Sequence, residues 1–349
     1  MLHRLVIGVV RSVMKIPTPR PKPQRSIKLQ CSESSPCKQT GIWSFSETWI
    51  LELGASGCLA LLQLMLISGM QAAEPSQIIP YPSFPDVASV PKDLESPQVT
   101  EGEPAPGRRV RQAGPGYEST EVHHTLYLPV NWNLTNLYPV IVEYPGNAYA
   151  GFNGDSCSGT VEGSNLGYGI SGGSNYLWLC LPFVETVRGH KQNATRWWGD
   201  INETVAYCTN NVPLICRRFH GNTNAIILTG FSRGAIACNF IGLHDDAVAR
   251  LWRAFIPFSH YDGVKTNWPY PGADRASAQL RLNRLEGRPQ CICEEQSTTA
   301  TRTYLEATGI AAPFTFVTVP FRNHSDEWVL RKSPARHTVR EWLITLGLP

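Results

Sequence analysis

Between Tyr138 and Val319 the chain repeats one alternation: a short apolar run, then a segment with helical spacing, then another apolar run. The runs are Tyr138–Tyr144, Tyr176–Phe183, Ala225–Thr229, Trp252–Phe258, Gln290–Cys293 and Phe314–Val319. Each is too short for a buried helix, and most are apolar nearly throughout rather than at every second position. That pattern belongs to strands covered on both faces. Helical segments are predicted at Asp200–Asn210, from Ser232 to about Leu243, and at Asp274–Leu285, Thr298–Ala307 and Ala335–Leu346. The first is expected to be extended or restarted at Pro213; where it restarts, the break falls at Val212-Pro213, between Cys208 and Cys216. The expected class is α/β, a mostly parallel sheet flanked by helices on both faces. In such sheets the reactive groups lie just beyond the carboxyl ends of strands, which restricts where to look for them.

The rest of the chain divides around this core. Residues 1–73 are basic and Pro-punctuated at first, then carry the apolar run Cys58–Ile67 and end in Ser-Gly-Met-Gln-Ala-Ala73. This reads as an N-terminal extension and secretory signal segment, cut near Ala72 or Ala73, so the mature protein is expected to be secreted or periplasmic, without stable membrane insertion. Residues 74–116 are Pro-rich and polar, a linker or a wrapped arm. Residues 117–349 form the expected catalytic domain. A formal net charge of only +3 argues against nucleic acid as a partner. Seven of the ten cysteines lie from Cys157 to Cys293. Their number is high for a cytosolic enzyme and fits disulfides, with Cys208 and Cys216 as one candidate pair. No metal site is expected, since Cys291-Ile292-Cys293 lacks zinc-ligand spacing.

The chemistry concentrates at Gly230-Phe-Ser232-Arg-Gly234, between the run Ala225–Thr229 and a helix. A serine at the tip of a tight strand-to-helix turn needs small neighbours so that strand and helix can approach. The helix N-terminus favours an oxyanion there. A serine hydroxyl is a weak nucleophile and needs a base, and in this arrangement the base follows in the chain. Of His244, His260, His324 and His337, only His324 lies just past the last apolar run. The oxyanion hole is expected to use the N–H of Arg233 and one from Tyr144-Pro-Gly-Asn147-Ala, with Asn147 as the candidate.

From about Tyr117 onward the chain resembles the α/β-hydrolases, and within them secreted esterases related to polyhydroxybutyrate depolymerases and feruloyl esterases. Trp198-Gly-Asp-Ile and Ala225–Ala235 carry the likeness. The resemblance implies hydrolysis of a small-molecule or polymeric ester through an acyl-enzyme, without a cofactor. It also implies an Asp in a Gly-x-x-Asp turn after the penultimate strand. Here that stretch reads Ile292-Cys-Glu-Glu-Gln-Ser297, so the expected acid is Glu295, with Glu294 beside it, and Asp262 in Ser259-His-Tyr-Asp262 is the alternative. Alternatives are a serine peptidase of the same fold and a binding protein that has kept the fold without catalysis. Tyr149, Phe152, Trp197, Trp198, Tyr261, Trp268 and Tyr270 fall near expected loops, as core packing or as a substrate surface.

Overall fold

The computed structural model describes residues 84–151 and 154–349. The extension, the signal segment and Phe152 lie outside the described residues. Along the chain come β1 (Val99–Thr100), β2 (Arg109–Gln112), β3 (His124–Tyr127) and β4 (Tyr138–Tyr144). A small hairpin follows, β5 (Tyr149–Ala150) with β6 (Ser156–Cys157), then α1 (Leu166–Ser171) and β7 (Leu177–Cys180). A second hairpin, β8 (Val184–Val187) with β9 (His190–Asn193), leads to α2 (Ile201–Phe219) and β10 (Gly221–Phe231). The last third holds α3 (Arg233–Phe240), α4 (Asp246–Ala249), β11 (Ala254–Phe258), α5 (Arg275–Leu282), β12 (Gln290–Glu295), α6 (Thr299–Thr308), β13 (Phe314–Val319) and α7 (Pro334–Thr345).

Nine strands form one sheet in the order β1-β2-β3-β7-β4-β10-β11-β12-β13. From β7 onward every pairing is parallel, and only β3 runs antiparallel to its neighbours. β10 lies at the centre, pairing Ile227 with Ile141 on one side and Ala254 on the other. Its apolar residues are buried on both faces: Ile226 and Leu228 join one core, Ile227 and Phe231 the other. Each such side chain contributes roughly 1.5–3 kcal/mol on burial. This is the expected two-faced α/β sheet, and with a serine elbow after its central strand it has the α/β-hydrolase fold. The segment read as a linker or arm contributes β1 and β2 to this sheet. Residues 85–94 clasp the last loop and helix, with Asp93 paired to Arg336 and Lys92 to Glu327.

α2 takes the extended of the two expected forms, one helix of 19 residues with Pro213 inside it and no restart. Proline removes one backbone bond at a cost of about 3 kcal/mol. Here Val205, Cys208, Val212, Ile215, Cys216 and Phe219 bury one helix face across that point, and their burial outweighs the loss. Asp200 caps the start by accepting the Glu203 N–H at 2.9 Å, and His220 ends it in the left-handed region. Continuity of the helix also removes the expected Cys208–Cys216 disulfide. Eight residues along a helix separate the two by roughly 12 Å, beyond the reach of a disulfide. All seven cysteines among the described residues are free thiols.

Candidate active site

Ser232 stands between β10 and α3 with φ 55° and ψ −114°, a backbone conformation that costs an L residue energy and recurs at functional sites. Packing enforces it. A Cβ on Gly230 would come within 2.2 Å of the Gly234 carbonyl oxygen, and one on Gly234 within 2.0 Å of the Tyr144 carbonyl oxygen. Strand, elbow and helix close up only with glycine at both positions. The Ser232 N–H is held by the Phe258 carbonyl at 3.0 Å. Its Oγ points to Nε2 of His324, 3.0 Å away.

His324 sits in the loop after β13. Its N–H donates to Asp155 Oδ1 at 2.9 Å, and its carbonyl accepts the Ser156 N–H at 3.1 Å. The neighbouring Asn323, itself buried, accepts the Val87 N–H at 2.7 Å. Asp326, two residues further on, takes two N–H groups of Asn165. Burial next to Glu143 pushes the Asp326 carboxyl up to about 7. The hairpin β5–β6, the N-terminal segment and the start of α1 thus all grip this loop. The imidazole packs against Phe231 at 4.7 Å and stacks on His260 at 5.2 Å between ring centroids.

The far ring nitrogen, Nδ1, has two oxygen neighbours. Ser259 Oγ is 2.9 Å away, in hydrogen-bonding geometry. Glu295 Oε1 is 3.3 Å away, within ion-pair distance, but it is not aligned for a hydrogen bond. Ser259 directly follows β11 with φ 88° and is fixed by its N–H to the Cys293 carbonyl at 2.8 Å. Nothing in its sequence neighbourhood marks it apart from its place after a strand. Asp262 stands elsewhere: Arg281 grips it with two bonds, Nε to Oδ2 at 2.8 Å and Nη2 to Oδ1 at 3.0 Å. Burial raises the Asp262 carboxyl above its usual value, and Arg281 opposes that rise. Glu294 points to α6, where Thr301 donates to it, and burial lifts it to about 7. His244 pairs with Asp245 and His337 with Glu341, both away from Ser232.

Arg233 and Asn147 border the same cavity as Ser232. The N–H of Ala148 is taken by the Thr195 carbonyl. Among the described residues neither the Arg233 N–H nor the Asn147 N–H has an acceptor. The Arg233 side chain turns inward, donating to the carbonyls of Gly146 and Trp197 and lying over the Phe183 ring at 4.1 Å. Burial pulls its guanidinium down to about 9. It ties the loop after β4 to the loop before α2 and so fixes Asn147, whose Oδ1 accepts the Trp197 N–H at 2.7 Å.

The cavity measures about 530 Å³. Tyr149, Trp197, Trp268 and His260 supply its rings, and Arg196, Lys265 and Asp155 its charges. Trp198, Tyr261 and Tyr270, read as possible loop aromatics, are buried in the core.

Comparison with known proteins finds likeness at the level of fold. No protein-family model matches the chain, and no curated protein does. Among solved structures, a thermostable esterase aligns at 13% identity and TM-score 0.43 over 68% of this chain and 62% of its own. A putative dipeptidyl aminopeptidase IV from Bacteroides ovatus aligns at 13% and 0.45, over 69% of this chain and 35% of its own. An acetyl ester-xyloside bifunctional hydrolase from Caldicellulosiruptor lactoaceticus aligns at 13% and 0.48, over 71% and 99%. The chain therefore spans less than two thirds of the first two. The fold assignment rests on the strand order and the elbow, not on these likenesses.

Proposed function

We propose that the chain is a serine hydrolase that cleaves carboxylic esters through an acyl-enzyme. The observation that carries this reading is the 3.0 Å contact of Ser232 Oγ with His324 Nε2 at a left-handed elbow. In the resting site the Ser232 O–H donates to Nε2, and Nδ1–H donates to Ser259 Oγ. Ser232 Oγ attacks the acyl carbon and its proton passes to Nε2. The oxyanion that forms accepts the N–H groups of Arg233 and Asn147. When the intermediate collapses, the bond to the alcohol oxygen breaks and that oxygen leaves with the Nε2 proton. Water then attacks the acyl-enzyme by the same route, giving up a proton to Nε2. The acid leaves and Ser232 recovers its proton. Glu295 is the carboxylate assigned to stabilise the imidazolium, from 3.3 Å.

The test is reaction with a fluorophosphonate, followed by mapping of the labelled residue. Labelling at Ser232 that disappears in Ser232→Ala, together with loss of ester turnover, supports the reading. Full turnover by Ser232→Ala defeats it. Removing either oxyanion donor costs about 10²–10³ in kcat in comparable sites, but backbone N–H groups resist substitution, so the serine is the sharper probe.

Export belongs to the same proposal and rests on the apolar run before Ala72-Ala73. N-terminal sequencing of the protein recovered outside the cytoplasm is expected to start near Glu74. A start before Cys58 would refute cleavage. No helix among the described residues is long and apolar enough to cross a membrane.

A further inference from the structure

Arg196 and Lys265 reach the same cavity from two different loops. Arg196 comes from the loop before α2 and Lys265 from the loop between β11 and α5. Both are exposed, and among the described residues neither pairs with a carboxylate. Some cations elsewhere are paired, as Lys191 with Glu203 and Arg336 with Asp93, and others such as Lys332 are not, among the described residues; what sets Arg196 and Lys265 apart is that both border the cavity of Ser232.

The two loops are joined by their aromatic rings. Trp197 meets Trp268 edge to face at 5.4 Å, and Lys265 Nζ lies 4.0 Å from the Trp268 ring centre. Trp268 in turn packs on His260 at 5.3 Å, and His260 stacks on His324. A continuous aromatic wall thus runs from the imidazole beside Ser232 out to Lys265.

The other charges of the cavity do not balance these two. Asp155 is its one carboxylate among the described residues, and one of its oxygens already takes the His324 N–H. Burial, with the nearby His324 acting in the same direction, lowers His260 to about 4, so it is neutral near pH 7. Arg233 spends its guanidinium on carbonyls. The free charge at the mouth is therefore positive, in a chain whose net charge is only +3. Opposite charge in a partly desolvated cleft raises both affinity and encounter rate. A guanidinium fork and an ammonium lining one cavity suit a planar carboxylate, and indole rings suit a flat ring.

We propose that the substrate is an ester bearing a free carboxylate on a flat ring, with the carboxylate held between Arg196 and Lys265 and the ring along Trp197 and Trp268. This rests on the serine-hydrolase reading for the bond that is cut, but the carboxylate site can be tested without turnover.

Two esters separate the effect, 4-acetoxybenzoate and its methyl ester, which differ in whether the second carboxyl is ionised. For the wild-type protein kcat/KM is expected to favour 4-acetoxybenzoate by about tenfold or more, chiefly through KM, and about 0.5 M NaCl should shrink that ratio by screening. In the double variant Arg196→Gln, Lys265→Gln the ratio should fall to within about threefold of unity, since each tenfold step reflects only about 1.4 kcal/mol. Lys332→Gln, an exposed cation outside the cavity, should leave the ratio as in wild type, which separates a local site from overall charge. Equal efficiency on the two esters, or a preference that survives the double substitution, overturns the proposal.

Calorimetry covers the case without turnover. Binding of 4-acetoxybenzoate to Ser232→Ala protein should weaken by about tenfold when Arg196 and Lys265 are also replaced. Unchanged binding overturns the carboxylate site. Absence of both turnover and fluorophosphonate labelling, with this binding difference intact, would defeat the hydrolase reading and leave the carboxylate site standing.

Discussion

The Ser259 hydroxyl lies closer to Nδ1 of His324 than the Glu295 carboxylate does, 2.9 Å against 3.3 Å. One nitrogen thus has a neutral acceptor in line and a charge beside it. In the proposed mechanism the two divide the work of an orienting acid: Ser259 holds the ring, and Glu295 stabilises the imidazolium formed during turnover. The two contributions should be separable. Ser259→Gly suits the local φ of 88° and removes only the hydroxyl. It is expected to lower kcat by about tenfold with little change in KM. Glu295→Gln removes the charge and is expected to cost about 10²–10⁴ in kcat. Steady-state kinetics on one ester decides it. A larger loss from Ser259→Gly than from Glu295→Gln would reverse the assignment.

Asp262 is expected to matter for stability and not for chemistry. It is buried and doubly bonded to Arg281. Asp262→Asn leaves the guanidinium in place without its charge partner, a change that typically costs about 3–5 kcal/mol when such a pair is broken. Urea unfolding should show that loss, while kcat of the folded fraction stays within about threefold of wild type. A collapse of kcat at undiminished stability would make Asp262 the acid after all.

Gly234→Ala should prevent the elbow from forming. The added Cβ would stand 2.0 Å from the Tyr144 carbonyl oxygen and 3.1 Å from that of Pro145, backbone that cannot swing aside as a side chain could. The expected result is loss of fluorophosphonate labelling together with a stability decrease of several kcal/mol. Normal labelling of a stable Gly234→Ala protein would mean that strand and helix are not packed as described.

Acid should destabilise the fold in part through His124. This side chain is buried beneath Tyr207, with Nδ1 2.8 Å from the tyrosine hydroxyl. Burial lowers its pKa from 6.5 to about 3. The unfolded chain binds this proton near 6.5 and the folded one only near 3. The stability tied to the neutral ring is therefore complete above pH 6.5 and is lost as pH falls from 6.5 toward 3. The effect is on the order of 4 kcal/mol. The urea midpoint of His124→Gln should be lower than wild type at pH 7 but fall less steeply between pH 6.5 and 4. Parallel slopes would contradict it.

The repeated strand and helix pattern, the two glycines around Ser232 and the candidacy of His324 are legible along the chain alone. These follow from local chemistry: apolar runs of strand length, a turn that tolerates no Cβ on either side, and a histidine just beyond a strand. Other features depend on groups far apart in the chain. Ser232 and His324 are separated by 92 positions, and Ser259 and His324 by 65. They meet because parallel pairing sets Phe258 beside Cys293 and Glu295 beside Val319, bringing the carboxyl ends of β11, β12 and β13 to one edge. The carboxylates Glu295 and Asp262 are separated only narrowly in sequence, since one ends a strand and the other closely follows one. Tertiary packing separates them: α5 carries Arg281 to Asp262, while the register of β12 leaves Glu295 at the imidazole. The same holds for Cys208 and Cys216, whose spacing permits a bridge in a broken helix and forbids it in a continuous one. Pro213 argues locally for the break, and only the burial of Val212, Ile215 and Cys216 against the sheet decides for continuity.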